Sequence, residues 1–278
     1  MTTRVALLQL RTPATHEAAL AHVEPLVREA AAGGARLVLT PECTNVVQRD
    51  RAALLPQLRT VEDDPVVAGL RALAAELGVE VLVGSALVRR EEGGCANRSL
   101  LIGADGAVRA TYDKVHMFDV DLPPSEGRGG ERVRESEVYT PGDRAVVVRT
   151  VAGRLGLTVC YDLRFPALFR AEAEAGAELL AVPAAFTRPT GEAHWEVLLR
   201  ARAIETGSFV LAPAQGGLHE DGRGTWGRTA AVGPWGEVLG RLDHDAPGVL
   251  LADIDLGAVH RARSAVPALA NARSFARP

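Results

Sequence analysis

Cys160 closes the stretch GRLGLTVCYDLRFP, in which small and aliphatic residues deliver a thiol to the end of an expected strand and Asp162 and Arg164 open the turn beyond it. A thiol at the junction of buried strand and polar loop can be held rigidly and still be reached, as a nucleophile must be. At neutral pH it is mostly protonated, so attack on a carbonyl carbon needs a base within hydrogen-bond reach or a cation that lowers the thiol pKa. Glu42, after RLVLT, and Lys114, after ATYD, offer one of each. Together they suit amide cleavage. Glu42 would take the thiol proton, the Lys114 ammonium and the Tyr161 N–H would meet the charge growing on oxygen, and a water activated by Glu42 would hydrolyse the thioester. A second carboxylate beside Lys114 would keep it charged, and Glu135 or Glu137 in RESEVYTPGD fits. Taken singly, a Glu, Lys or Cys at a strand end is usually a cap, a solvated charge or inert packing; only the set carries the reading.

Those three residues must be held by elements that converge. Aliphatic runs at Val5–Leu10, Leu37–Thr40, Val79–Leu87, Leu155–Val159, Leu179–Val182 and Phe209–Pro213 predict strands, and Thr15–Ala32, Pro65–Leu77, Pro166–Ala175 and Ala193–Glu205 carry helical periodicity. The class is α/β. An internal echo sharpens it. Asn97–Lys114 (NRSLLIGADGAVRATYDK) lies without a gap against Gly227–His244 (GRTAAVGPWGEVLGRLDH), both reading as hairpins. Gly34–Glu42 resembles Gly176–Ala184, and Arg4–Leu10 sits opposite Arg154–Cys160. Two β-α-β-α-β-hairpin halves joined face to face predict a four-layer α-β-β-α sandwich. Crevices in α/β folds gather at the carboxyl ends of strands, where Glu42, Lys114 and Cys160 fall. Their half-to-half counterparts for Glu42 and Cys160 are Ala184 and Leu10, so one site is expected, not two.

With 278 residues, 47% of them hydrophobic, and a net charge of −4, the chain has material for a large core and too little charge asymmetry for a nucleic-acid partner. No linker divides it, so one domain over 1–278 is expected, with the tail from about 265 onward either disordered or an arm reaching a partner subunit. No run approaches a membrane span, and the apolar stretch after Arg4 is too short for a signal peptide, which favours the cytoplasm. Three cysteines without metal-type spacing support neither a disulfide framework nor a metal knuckle.

The segments LTPEC at 39–43, YDKVHMFD at 112–119, RESEVYTPGD at 134–143, GLTVCYDLRFP at 156–166 and TGEAHWEVLLRARAIET at 190–206 together resemble the nitrilase (carbon–nitrogen hydrolase) superfamily, and within it the Nit-type amidases. The resemblance runs from about Val5 to the C-terminal region. It implies a Glu-Lys-Cys triad of Glu42, Lys114 and Cys160, with Glu135 as the second glutamate. It further implies the four-layer sandwich, a homodimer formed by helices near the nucleophile, and no metal or organic cofactor. Ala167 departs from the glutamate that often follows LRFP, and the loop DLPPSEGRGGERV matches no relative closely. AHWEVLLRARAIET and APAQGGLH look more like the deaminated glutathione amidases, which cleave a cysteinylglycine amide, than the ω-amidases, which release ammonia from α-ketoglutaramate; a broader amidase is a further alternative. Both named substrates carry carboxylates.

Arginine suits bidentate carboxylate recognition, which makes Arg128, Arg132, Arg164 and Arg188 candidates, and His194 and Glu196 join them. Glu196 is equally an i,i+4 partner of Arg200. A Cys-His-Asp hydrolase using His116 or His194, and a non-catalytic binding protein, are the rival classes. Cys43 reads as buried packing, and Trp195 and Trp235 as core or interface anchors.

Overall fold

Alternation along the first strand sends Val5 and Leu7 to one buried cluster and Ala6 and Leu8 to another, so this strand is covered on both faces. The computed structural model describes residues 2–122 and 131–276. In chain order the strands are β1 (Thr3–Gln9), β2 (Leu37–Leu39), β3 (Glu80–Arg89), β4 (Cys95–Ile102), β5 (Val108–Asp113), β6 (Asp119–Leu122), β7 (Glu131–Arg134), β8 (Val147–Thr150), β9 (Gly153–Leu157), β10 (Leu179–Ala181), β11 (Phe209–Ala212), β12 (Gly216–Leu218), β13 (Gly224–Trp226), β14 (Ala230–Val232), β15 (Val238–Arg241) and β16 (Gly248–Ile254). The helices are α1 (His16–Ala32), α2 (Arg51–Leu54), α3 (Pro65–Leu77), α4 (Pro166–Glu174), α5 (Arg188–Thr206) and α6 (Leu256–Ala265).

One six-stranded sheet has the order β16-β1-β2-β3-β4-β5 and the other β15-β14-β11-β10-β9-β8. Val5, Leu7, Leu39 and Leu82 of the first share a buried cluster with Leu155, Leu157, Leu179 and Leu211 of the second. Ala6, Leu8, Val38 and Val81 instead pack on Ala19, Val23, Val66 and Leu70 of α1 and α3. Each fully buried aliphatic side chain contributes about 1.5–3 kcal/mol. The α-β-β-α sandwich expected from the echo is the observed architecture.

The echo extends to register. β1 pairs β2 with Val5 opposite Leu37 and Leu7 opposite Leu39, and β9 pairs β10 with Leu155 opposite Leu179 and Leu157 opposite Ala181, the same alignment in each half. Both hairpins carry a register shift at equivalent places, Leu101/Ile102 and Ala231/Val232. Gly106 and Gly236 occupy the same left-handed turn position and donate to Gly103 O and Gly233 O respectively.

The helix expected from Ala193 starts at Arg188. Gly191 lies within it, where a Cβ would sit 2.3 Å from the Trp226 ring, and Pro189 is tolerated in the first turn, whose N–H groups have no helical partner. The strand expected over Leu155–Val159 ends at Leu157, so Cys160 lies beyond it, in a 3-10 turn.

Gly84 in β3 permits the close approach that shapes the site. A Cβ there would sit 1.9 Å from Thr40 O and 2.4 Å from Pro183 Cβ, the two segments leading to Glu42 and Ala185. Gly84→Ala is therefore expected to destabilise by about 3 kcal/mol through overpacking, read as a lower denaturation midpoint in urea; an unchanged midpoint would count against this packing role.

Candidate active site

Glu42, Lys114 and Cys160 each follow the carboxyl end of a strand, β2, β5 and β9 respectively. The turn carrying Glu42 is fastened to β3. Cys43 N–H donates to Ser85 Oγ at 2.9 Å, Thr44 N–H to Ser85 O at 2.8 Å, and the Asn45 side chain brackets the Leu87 backbone at 2.9 and 3.0 Å. Lys114 N–H donates to Asn97 O at 3.0 Å, which continues the β4–β5 pairing by one residue and sets Asn97 beside the lysine.

Cys160 begins the 3-10 turn with φ of 50°, in the left-handed region, and its N–H donates to Pro183 O at 2.9 Å. Buried Asp162 locks that turn. Its Oδ2 accepts from Val159 N at 2.8 Å and from Tyr112 Oη at 2.7 Å, and its Oδ1 meets His116 N at 3.0 Å and His116 Nδ1 at 2.7 Å. One carboxylate thus ties the thiol's turn to the segment that carries Lys114.

The three groups converge. Lys114 Nζ donates to Glu42 Oε1 at 3.0 Å and to both Glu135 oxygens at 2.9 and 2.8 Å. Asn97 Nδ2 donates to Glu42 Oε1 at 2.9 Å and Glu135 Oε1 at 3.1 Å. Ala185 N–H donates to Glu42 Oε2 at 3.0 Å, and Phe118 N–H to Glu135 Oε2 at 2.6 Å. Glu137 pairs with Arg51 at 2.9 Å instead, so Glu135 is the glutamate at Lys114.

Burial alone would raise the Glu42 carboxyl, but Lys114 and hydrogen bonds from Cys160, Lys114 and Asn97 outweigh it and leave Glu42 below its ordinary range. Burial alone would lower Lys114; Glu135 and Glu42 reverse that and hold the ammonium well above its usual value. The Cys160 thiol is pushed well up, first by burial and then by the neighbouring Glu42 charge, with Lys114 opposing. The resting pair is thus a protonated thiol beside an ionised carboxylate. Of the two ways to activate a thiol, a base in reach and a pre-lowered pKa, the geometry provides the first.

A cavity of about 460 Å³ opens on Glu42, Lys114, Glu135 and Cys160 and is lined further by Tyr161, Phe186, Val138 and Tyr139. Arg164 lines it, its guanidinium 5.5 Å from the Phe186 ring and 5.9 Å from that of Tyr161. Arg132 also lines it, with its exposed side chain 3.9 Å from Asp121. Three expected substrate contacts lie elsewhere. Arg188 is held by Asp245 at 2.5 Å and is not in the lining. Glu196 pairs with Arg241 and faces a separate cavity of about 170 Å³ with Trp195 and Trp226. Exposed His194 is 3.3 Å from Arg164, outside the lining. Arg128 lies outside the described residues.

Neither histidine serves the thiol. His116 is engaged by Asp162 and stacks on Phe165 with centroids 3.6 Å apart. Cys43 is buried with Val46, Val47, Leu54 and Leu58, its thiol raised by burial, and it also reaches the cavity wall. Trp195 is buried, its indole N–H donating to Arg228 O at 2.9 Å, and Trp235 is exposed. Sequence reading missed Asn97 and Arg223, both in the cavity wall. An asparagine separated by two residues from the aliphatic run of the strand CANRSLLI was a weak signal for the first; Arg223 sits in an ordinary-looking DGRG turn. Among the described residues no group of three or more His, Cys, Asp or Glu could hold a metal, and no helix is long and apolar enough to cross a membrane.

The chain is 42% identical to a deaminated glutathione amidase from Yersinia enterocolitica over 97% of its own length and 92% of the relative's. It superposes on the NitFhit protein of C. elegans with a TM-score of 0.90 at 32% identity, covering 98% of this chain and 65% of that longer one. A Nesterenkonia amidase variant carrying the acetamide moiety of fluoroacetamide on its active-site cysteine matches with a TM-score of 0.75 at 28% identity, over 95% of this chain and 94% of that one. The carbon-nitrogen hydrolase model matches residues 4–264, and the chain belongs to that family.

Proposed function

We propose that the protein is a cysteine amidase acting through a thioester, with a carboxylate-bearing amide of the deaminated glutathione class as substrate. The observation that carries it is the Glu42 carboxylate, which takes hydrogen bonds from Lys114 and Asn97 and lies beside the Cys160 thiol in the wall of one cavity. As sulfur bonds to the amide carbon, the thiol proton passes to Glu42 and the carbonyl electron pair moves to oxygen. The Lys114 ammonium and the Tyr161 N–H stabilise that oxyanion. Collapse breaks the carbon–nitrogen bond, and Glu42 returns the proton to the departing amine. A water then loses its proton to Glu42 while attacking the thioester; the acid is released and the thiol regains the proton. Glu135 holds Lys114 in place and charged.

Identity to the Yersinia relative supports deaminated glutathione over α-ketoglutaramate. Arg164, four residues beyond Cys160 and in the cavity wall, is the proposed contact for a carboxylate near the scissile amide. Exposed Val197 and Ile204 on α5, with Ile204 at the Gly236 turn next to exposed Trp235, support pairing of two copies through this helix.

Intact-mass spectrometry on rapid quenching with deaminated glutathione is expected to show an acyl adduct on Cys160, absent in Cys160→Ala. Product analysis should find cysteinylglycine released at a kcat/KM at least about tenfold above that for ammonia from α-ketoglutaramate, the ratio corresponding to about 1.4 kcal/mol of transition-state preference. The absence of any Cys160 adduct would sink the mechanism, and a reversed ratio would sink the substrate assignment.

A further inference from the structure

Seven cationic side chains and three carboxylates line the described wall of the catalytic cavity, an imbalance that favours an anionic occupant. Three of these cations are held by carboxylates: Lys114 holds Glu42 and Glu135, Arg51 holds Glu137, and Arg134 holds Asp121. Arg223 differs. It follows Gly222 in the turn between β12 and β13, close enough to Cys43 and Tyr139 to oppose the rise of both their pKa values. Its Nε lies 3.8 Å from Asp221 Oδ2, too far for a hydrogen bond, and Asp221 Oδ2 is itself buried without a hydrogen-bond partner. Among the described residues the Arg223 guanidinium makes no hydrogen bond, although its side chain is only 33% exposed and borders the cavity.

A half-buried guanidinium steadied by a carboxylate that leaves its N–H groups unused presents a planar fork to whatever fills the cavity. It touches none of Glu42, Lys114 or Cys160, so the group it meets must lie away from the scissile carbonyl. We propose that Arg223 is a specificity-determining residue that binds the carboxylate at the leaving-group end of the substrate, the end remote from the bond that breaks. This deepens the amidase reading above and rests on it.

The test compares deaminated glutathione with its analogue in which the glycine carboxylate is a carboxamide. In the wild type the acid should be preferred. In Arg223→Met the ratio of the two kcat/KM values is expected to fall about 30-fold, within the range for loss of charged hydrogen bonds. The change should lie in KM for the acid, and Arg223→Lys, which keeps charge without the fork, should recover part of the ratio. A ratio unchanged in a folded Arg223→Met protein overturns the assignment. Wild-type protein that turns over neither compound would instead overturn the substrate assignment on which this proposal rests, so the two failures are distinguishable.

Discussion

Glu42→Gln is expected to fold, to lose about 10³-fold in kcat, and to have a thiol that is easier to ionise than the wild type's. The glutamine carbonyl can still accept from Lys114 and Asn97, which keeps the polar cluster intact. Its amide nitrogen then faces Ala185 N–H, donor against donor, and cannot receive a proton from sulfur. Removing the negative charge takes away one of the two influences that raise the Cys160 thiol, while Lys114 continues to lower it. Alkylation of Cys160 should therefore reach half its maximal rate at a lower pH than in the wild type, even as turnover collapses. The loss in kcat matches what a positioned proton-transfer group supplies. Steady-state kinetics with pH-dependent alkylation checks both halves; a variant within tenfold of wild-type turnover would remove Glu42 from the role of base.

The second large effect belongs to Lys114→Met. Methionine fills much of the volume, but it leaves the Glu42 and Glu135 carboxylates, both hydrogen-bonded to Asn97, facing each other without the cation between them. Breaking a buried ion pair by removing one partner costs about 3–5 kcal/mol. Chemical denaturation at neutral pH should show that loss. The sign with pH follows from Glu42, which Lys114 holds below its ordinary range. In the wild type that group contributes stability above its unfolded pKa, and the contribution is lost as pH falls through the lower folded value. Without the ammonium one of the two carboxyls takes up a proton at higher pH, so the deficit of the variant should shrink on mild acidification. A stability difference that stays constant between neutral and weakly acidic pH would show that charge is not its source. Turnover should be lost as well, because the oxyanion then lacks its cation.

Much of this was legible in the chain itself, for a physical reason. Strands buried on both faces must be nearly continuous aliphatic runs, so β1, β2, β9 and β10 announce themselves, and a doubled fold repeats its turn glycines wherever the left-handed geometry is needed, as at Gly106 and Gly236. Cys160, Glu42 and Lys114 stood out because reactive side chains directly after such runs have few other places to go. The rest depends on contacts between distant segments. Nothing local separates Glu135 from Glu137; the choice is made by Phe118 N–H and Lys114, 17 and 21 residues away. Arg188 and Glu196 resembled substrate contacts because their segment adjoins the motifs, yet helix α5 turns them toward Asp245 and Arg241. Asn97 is a bridge only because the β4–β5 register carries it to the lysine.

The backbone of Cys160 narrows what this pocket can become. At a φ of 50° a side chain branched at Cβ is strongly disfavoured, so a threonine cannot inherit the position without rebuilding the turn that Asp162 locks. Serine fits the same backbone, and its hydroxyl could be served by the same base. Descendants of this hydrolase that exchange sulfur for oxygen have an unbranched alcohol as their accessible route, while the threonine chemistry available to other scaffolds is closed here by one torsion angle.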